Sequence, residues 1–445
     1  MIVIEGCAVA TVDAAGTEHA DGHIVVAGDR IVAVGAGPYT GDESVTRVDG
    51  RGCLATPGLV NTHHHLYQWA TRGYAQQEIL FGWLRELYPI WARIDEGTVH
   101  AAASAGLAQL ALSGCTTSTD HHYVFPRGGG DPLAAEIDAA AAVGLRFHPC
   151  RGSMDLSEKD GGLPPDSVVE DTDAALTATK DAIDRFHDPS PGAMVRVAVA
   201  PCSPFSVTPR LMREAAELAR SEGVRLHTHL AETVEEESYC REVHGCTPVE
   251  YAEDLGWLGE NVWLAHAVHL DAPAIARLGA TGTGVAHCPS SNGRLGAGIA
   301  PVRDLLDARV PVGLGVDGAA SQEAGELGAE LRQALYLARL RGGPAALSAR
   351  ESLALGTIGG ARCLGRADEL GSLEPGKLAD IALWHLGGLG HAGIEDPVAA
   401  LVLGPAAPLR LLLVGGRAVV QDGSLSTVDV TRVATDLARA ARRLR

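Results

Sequence analysis

An α/β fold built as an eight-stranded parallel barrel is what this 445-residue sequence predicts, on three observations. Short apolar runs alternate with Ala-, Leu-, Glu- and Arg-rich segments of helical periodicity, the pattern of βα units. Eight such runs are present. Most end in His, Asp, Cys or Pro rather than fading into loop, and in a closed barrel the C-terminal ends of the strands carry the active site. Counting alone leaves an open doubly wound sheet standing; the polar strand ends favour the barrel.

The elements follow in order. IVIEGCAVATVD and HIVVAGDRIVAVG, within residues 1–57, read as short strands with turns marked by Gly and Asp. Barrel strands are expected at 59–63, 116–121, 145–150, 195–201, 225–230, 262–267, 284–288 and 312–317, with helices such as 98–113 and 209–222 between them. GSLEPGKLADIALWHL (371–386) and LRLLLVGGRAVVQDG (409–423) return to strand-and-turn patterning, and 431–445 reads as a terminal helix or tail. The two β-rich ends fit either one small domain drawn from both termini or two separate appendages.

Hydrophobic residues are 46% and charged residues 20% of the chain, enough for a sizeable core and incompatible with disorder as the main state. The formal net charge is −19 and basic residues cluster only at 439–445, so a nucleic-acid partner is not expected. There is neither a basic leader nor an apolar run approaching the ~18–20 residues of a membrane span, which makes a cytoplasmic protein without a membrane partner the expectation. The nine cysteines form no C-x-x-C pair, which argues against a disulfide framework or a thiolate zinc site. Lysine occurs only at Lys159, Lys180 and Lys377. Aromatic residues are 4% overall, yet Tyr67, Trp69, Tyr74, Phe81, Trp83, Tyr88 and Trp91 crowd one short segment. That segment follows the first barrel strand, where a βα connection overhangs the active site. It is expected to cover a flat ligand and to contribute to a subunit contact, with Trp91 or Tyr88 nearest the ligand.

His63 and His65 stand in NTHHHLYQ at the end of the first strand. Alternate strand residues face the same way, so an H-x-H pair can present two imidazoles to one metal ion, although His64 allows a different pairing. The fifth strand ends HTHLAE, with His229 at its tip and Glu232 three residues on; His227 shares the face of His229 but lies deeper. The sixth ends at His266 and the eighth at Asp317. A histidine pair, two further histidines and an aspartate at the ends of strands one, five, six and eight make a pattern far more specific than any single member.

These residues lie in PGLVNTHHH (57–65), HTHLAET (227–233), AHCPSSN (286–292), GVDGAAS (315–321) and GTIGGARCLG…GSLEPGKLADIAL (356–383). In them the chain resembles the amidohydrolase superfamily, over essentially its whole length. The resemblance implies a (β/α)8 TIM-like barrel at 58–369 and a small β-sandwich domain formed from 1–57 plus 370–430. It also implies a class of metal site. Binuclear members bridge their ions with a carboxylated lysine at the end of strand four, and here that strand reads MVRVAVAPCSPF, without lysine. One divalent ion per subunit is therefore implied, zinc first and iron as the alternative, with His63, His65, His229 and Asp317 as ligands. In mononuclear members with this pattern the reaction is hydrolytic deamination of a heterocycle. The ion lowers the pKa of its water towards ~7. Asp317 would accept the water's proton, Glu232 would protonate a ring nitrogen, and His266 would hydrogen-bond the attacking hydroxide and the developing oxyanion. A homo-oligomer is the family expectation.

Longer stretches resemble the 8-oxoguanine deaminase group within the superfamily: VNTHHHLYQWATRG (60–73), LFGWLRELYPIWA (80–92), SGCTTSTDHHYVFP (113–126), APCSPFSV (200–207) and GVDGAASQEAG (315–325). Isoxanthopterin deaminases and hydroxytriazine hydrolases share much of this framework. Gln68 holds the position at which related deaminases bind the ring edge through a glutamine amide. Guanine deaminases carry Pro-Arg-Phe on strand four where this chain has Pro201, Cys202 and Ser203, which argues against guanine. Tyr123 and Arg151, just past strands two and three, join Gln68, Trp91, Glu232 and His266 as expected substrate contacts. His121, His122 and Cys115 are further candidates, and His287 is expected to orient a neighbour rather than bind metal. The expected reaction converts 8-oxoguanine to urate and ammonia, with isoxanthopterin, guanine and hydroxytriazines as alternative substrates of the same site. A non-catalytic scaffold is the alternative of another class. A nucleic-acid base deaminase would carry H-x-E with P-C-x-x-C, and neither occurs here.

Overall fold

In a computed structural model describing residues 1–41 and 44–445, eight parallel strands close into a barrel. In chain order they are Leu59–Asn61, Cys115–His122, Arg146–Ser153, Ala198–Pro201, Arg225–Leu230, Val262–His266, Gly284–His287 and Val312–Leu314. Each overlaps its expected range. Closure comes where Leu314 pairs with Asn61, and the Thr62 hydroxyl donates to the Leu314 carbonyl at 2.9 Å. Val60, Cys150, Ala198, Ala200, Trp263 and Ala286 form one buried apolar cluster. Side chains from strands on opposite sides of a barrel meet this way only in its interior.

Helices surround the barrel for ordinary local reasons. Pro209–Glu222 starts behind Thr208, whose hydroxyl accepts from the Leu211 amide at 3.2 Å, and stops at left-handed Gly223. It buries Leu211, Met212, Ala215, Ala216 and Ala219, one face at helical spacing. Glu96–Leu112 is capped by Asp95, which accepts from the Thr98 amide at 2.7 Å. The aromatic segment forms a 3-10 turn, Leu66–Thr71, and the helix Leu80–Trp91. The C-terminal helix Val430–Arg443 packs Leu437 and Ala440 inward and lies against Glu96–Leu112. No helix among the described residues is long and apolar enough to cross a membrane.

Both chain ends meet in one nine-stranded sheet. The joint is the antiparallel pairing of Cys53–Pro57 with Ile381–His385, which leads outward through Leu409–Val414 on one side and Ile2–Ala10 on the other. Ile2–Ala10 bends at a bulge around Gly6, whose φ of +72° suits glycine. One face of this sheet gathers its own core, in which Ile4, Ile24 and Val26 from the N-terminal part cluster with Ile381, Leu383 and Leu413 from the C-terminal part.

Candidate active site

At the C-terminal mouth of the barrel the first and eighth strands continue as a short parallel pair, His64–His65 with Asp317–Gly318. That pairing brings residues more than 250 positions apart in sequence into register, and it sets Asp317 beside the histidines. Asp317 Oδ1 lies 3.3 Å from Nε2 of both His63 and His65. His65 Nε2 is 3.1 Å from His229 Nε2. His266 Nε2 is 3.9 Å from Asp317 Oδ2 and 3.6 Å from Glu232 Oε2. All six expected catalytic and ligand residues are therefore in one buried cluster. Non-glycine residues in the left-handed region mark the same rim: φ is +54° at Ala231, +75° at His266, +48° at Ala267 and +65° at Asp317. Backbone held there costs energy and turns side chains inward where the strands end.

The hydrogen bonds of the imidazoles decide which nitrogen each one offers. His65 Nδ1 meets the His121 carbonyl at 2.7 Å, and His229 Nδ1 meets the Cys202 carbonyl at 2.7 Å. A carbonyl only accepts, so both rings carry their proton on Nδ1 and present a bare Nε2. His227 Nδ1 donates to the Trp263 carbonyl at 2.9 Å, so its Nε2 accepts from His63 Nδ1 at 2.8 Å. His63 Nε2 is buried and makes no hydrogen bond among the described residues. Three imidazole lone pairs and a carboxylate oxygen thus converge, two of the lone pairs only 3.1 Å apart. Such an arrangement is repulsive unless a cation sits among its members, and three nitrogens with one oxygen suit a divalent metal. Burial holds His63 and His229 well below the usual histidine pKa and His65 at about 4, so all three are neutral, the form that ligates. Burial pushes Asp317 up, yet it lies well below the usual carboxylate range, its anionic form favoured by the charge of the nearby His266.

Glu232 has the opposite character. Burial, helped by Asp317 and Glu236 and opposed by His266, raises it to about 7. The loop carrying it is pinned by Glu236, whose two oxygens accept from the amides of Ala231 at 2.8 Å and Glu232 at 2.9 Å. His266 is lowered by burial but raised further by Glu232 and Asp317, with a net upward shift.

A cavity opens above this cluster, lined by Gln68, Tyr123, Cys202, Ser203, Glu232, His266 and Asp317, and walled by Leu80, Trp83, Leu84, Tyr88 and Phe205. Gln68 and Tyr123 are where the sequence places them. Trp91 and Arg151 are not. The Trp91 indole is fully buried behind the lining, donates to Thr71 Oγ1 at 3.0 Å and packs edge-on to Tyr67, Trp83 and Tyr88. Arg151 is taken up by Glu170 through two hydrogen bonds of 2.8 and 2.7 Å and lies over the Phe125 ring. Its charge is spent on a loop clamp and does not reach the cavity lining. His122 is bonded to Glu136 and the Val124 carbonyl, and Cys115 to the Thr117 carbonyl, both away from the cavity. His121 stacks on His229 at 4.8 Å and points Nε2 at the Ala200 carbonyl. His287 is buried and bonds none of the ligands.

Other groups at the site escape a reading of the sequence. Glu236 had a signal, since Thr233 followed three residues later by a glutamate is a capping-box spacing. His227, set aside for lying deep, orients His63. Ser291 and Asn292 touch Asp317 and His266 with no spacing to announce it.

Residues 54–419 match the amidohydrolase family. The chain is 46% identical to an 8-oxoguanine deaminase of Pseudomonas aeruginosa over 93% of each protein. It is 40% identical to an isoxanthopterin deaminase from an unknown prokaryote, over 95% of this chain and 91% of that one. Among solved structures, the atrazine chlorohydrolase TrzN of Arthrobacter aurescens TC1 complexed with zinc superposes with a TM-score of 0.94 at 36% identity, covering 99% of this chain and 100% of that one. With the barrel, the histidine and aspartate cluster and these likenesses together, the chain belongs to the amidohydrolase family and is a metal-dependent deaminase, a hydrolase acting on C–N bonds.

Proposed function

We propose that the protein deaminates 8-oxoguanine to urate and ammonia with one zinc ion held by His63, His65, His229 and Asp317. The observation that carries the substrate class is the state of Gln68. Its Oε1 accepts from the Ala320 amide at 3.4 Å, which leaves Nε2 as a buried donor with no hydrogen-bond partner among the described residues. A donor beside the cavity fits a ring carbonyl oxygen and disfavours an amino group at that edge, which supports an oxo-heterocycle. The wall formed by Cys202 and Ser203 is uncharged, the thiol being pushed up to about 12 chiefly by burial, and this supports a ring recognised without the arginine of guanine deaminases. Similarity to an 8-oxoguanine deaminase supports the purine over the pterin. On the same reading residues 58–369 are the catalytic unit, 1–57 with 370–430 a supporting sheet domain, and 431–445 a closing helix.

The bound ion supplies a water acidic enough to act as nucleophile near neutral pH. The remaining steps fall to the protein's own groups. Asp317, ionised, takes a proton at Oδ2. Glu232, with a pKa of about 7, is protonated in about half of the molecules at neutral pH, and this protonated form delivers its proton to the ring nitrogen next to the amino-bearing carbon. His266 donates from Nε2 to the oxygen on which charge develops. The proton on Asp317 passes to the amino group, the added oxygen gives its remaining proton back to Glu232, ammonia leaves, and a carbonyl remains. The test is an ammonia-release screen of zinc-loaded protein against 8-oxoguanine, isoxanthopterin, guanine, cytosine and a hydroxytriazine. Turnover is expected to be highest on 8-oxoguanine; no release from it beside good turnover of a pterin or triazine would sink the assignment.

A further inference from the structure

The seventh strand runs through AHCPSSN into a short helix, Pro289–Arg294, and the chemistry above gives its polar residues no task. Ser291 and Asn292 are each 1% exposed, so neither serves solvent. The Ser291 hydroxyl donates to Asp317 Oδ2 at 2.5 Å and lies 2.8 Å from the Ser321 hydroxyl. One residue on, Asn292 Oδ1 is 3.0 Å from His266 Nδ1. The turn is itself anchored to the loop beyond Asp317: Glu330 accepts from the Ser290 amide at 3.1 Å and from Gln322 Nε2 at 2.8 Å.

We propose, resting on the deaminase reading above, that Ser291 and Asn292 are positioning residues that aim Asp317 and His266. A carboxylate can swivel about its last bond, and here the swivel would exchange the oxygen facing the histidines for the one facing the substrate. The Gly318 amide holds Oδ1 at 2.7 Å, and Ser291 holds Oδ2, so the plane is fixed at two points. Ser291 has one proton, and an anionic oxygen is a better acceptor than a hydroxyl, so that proton goes to Asp317, while the Ser321 hydroxyl beside it donates to the Gly318 carbonyl at 3.1 Å. The Asn292 carbonyl oxygen only accepts. It therefore keeps a proton on His266 Nδ1 whether the ring is neutral or charged, and Nε2 stays turned towards Glu232 and the cavity. Two groups from strands six and eight are thus aimed by adjacent residues of one rigid turn.

The experiment compares zinc-loaded Ser291→Ala and Asn292→Leu with the conservative Ser291→Thr and Asn292→Asp. Removing the contact is expected to lower kcat about 10–100-fold with KM within about twofold and full metal content. Ser291→Thr is expected to restore most of the rate. Asn292→Asp is expected to do so too, while moving the pH profile upward because an anion next to the imidazole favours its charged form. A readout that needs no turnover separates this inference from the substrate assignment: the visible spectrum of the cobalt-substituted protein should change in Ser291→Ala and return in Ser291→Thr. Wild-type kcat in both contact-deleting variants, a rate loss that tracks loss of metal, or an unchanged cobalt spectrum would each overturn the proposal. Should one contact-deleting variant fail to fold, the other decides.

Discussion

At the scale of single residues, Glu232 shows how burial prepares a group for chemistry. Its carboxyl is 4% exposed and has no cationic partner closer than His266 at 3.6 Å, so desolvation dominates and its pKa rises to about 7. An acid poised there gives and takes a proton at little cost near neutral pH. Glu232→Gln keeps the shape and removes the proton, and it is expected to lower kcat by roughly 10²–10⁴-fold. Zinc content measured on the same sample should be unchanged, since Glu232 is not among the proposed ligands. His63, His65, His229, His266 and Asp317 are legible because strand alternation and strand ends dictate where such residues point. Arg151 and Trp91 have equally suitable chemistry for a substrate contact. Their directions were settled by Glu170 and Thr71, partners that no spacing in the chain reveals.

At the scale of elements, the aromatic helix Leu80–Trp91 divides its residues by face. Leu80, Trp83, Leu84 and Tyr88 look into the cavity. Trp91 lies behind them and holds the helix to the 3-10 turn through Thr71. One face of this helix therefore walls the cavity, and its large rings do two jobs. Trp91→Ala is expected to cost about 3–5 kcal/mol of stability, as deletion of a buried tryptophan does. Denaturant unfolding checks the cost, while KM per folded molecule should move less than about twofold. A tenfold rise in KM at unchanged stability would return Trp91 to the ligand. The crowding of aromatics was visible in the chain; which ring faces the ligand depends on the rotation of the helix against Phe205 and Tyr67, a matter of packing.

At the scale of the whole molecule, burying so many imidazoles makes stability depend on pH. Burial holds His121 and His148 well below the usual range, His122 at about 4, and His227 and His287 at about 3. An unfolded histidine titrates near ~6.5. Below that pH the unfolded chain binds protons that the native state refuses, so stability present above it is lost on acidification. Glu232, Glu236 and Glu330, each raised to about 7, and Asp120 and Glu136, which burial raises well above the usual carboxylate range, act in the opposite sense. Each group changes stability by about 1.4 kcal/mol per pH unit, and the imidazoles, with His63, His64, His65 and His229 also held low by burial, outnumber the carboxyls. The thermal midpoint is therefore expected to fall between about pH 7 and pH 5; a rise would mean that the imidazoles are hydrated and charged in the native state. The barrel pattern and the polar residues at its strand ends were already implicit in the chain, because a βα period and strand-end polarity are local patterns that a parallel barrel must obey, while the choice of His63, His65, His229 and Asp317 as ligands came from the family resemblance. The tautomer of each ligand, the two-point hold on Asp317 and the fate of Arg151 and Trp91 belong to the folded molecule alone. Those features depend on hydrogen-bond partners distant in sequence, and only closure of the barrel, with Leu314 set against Asn61, brings such partners within reach.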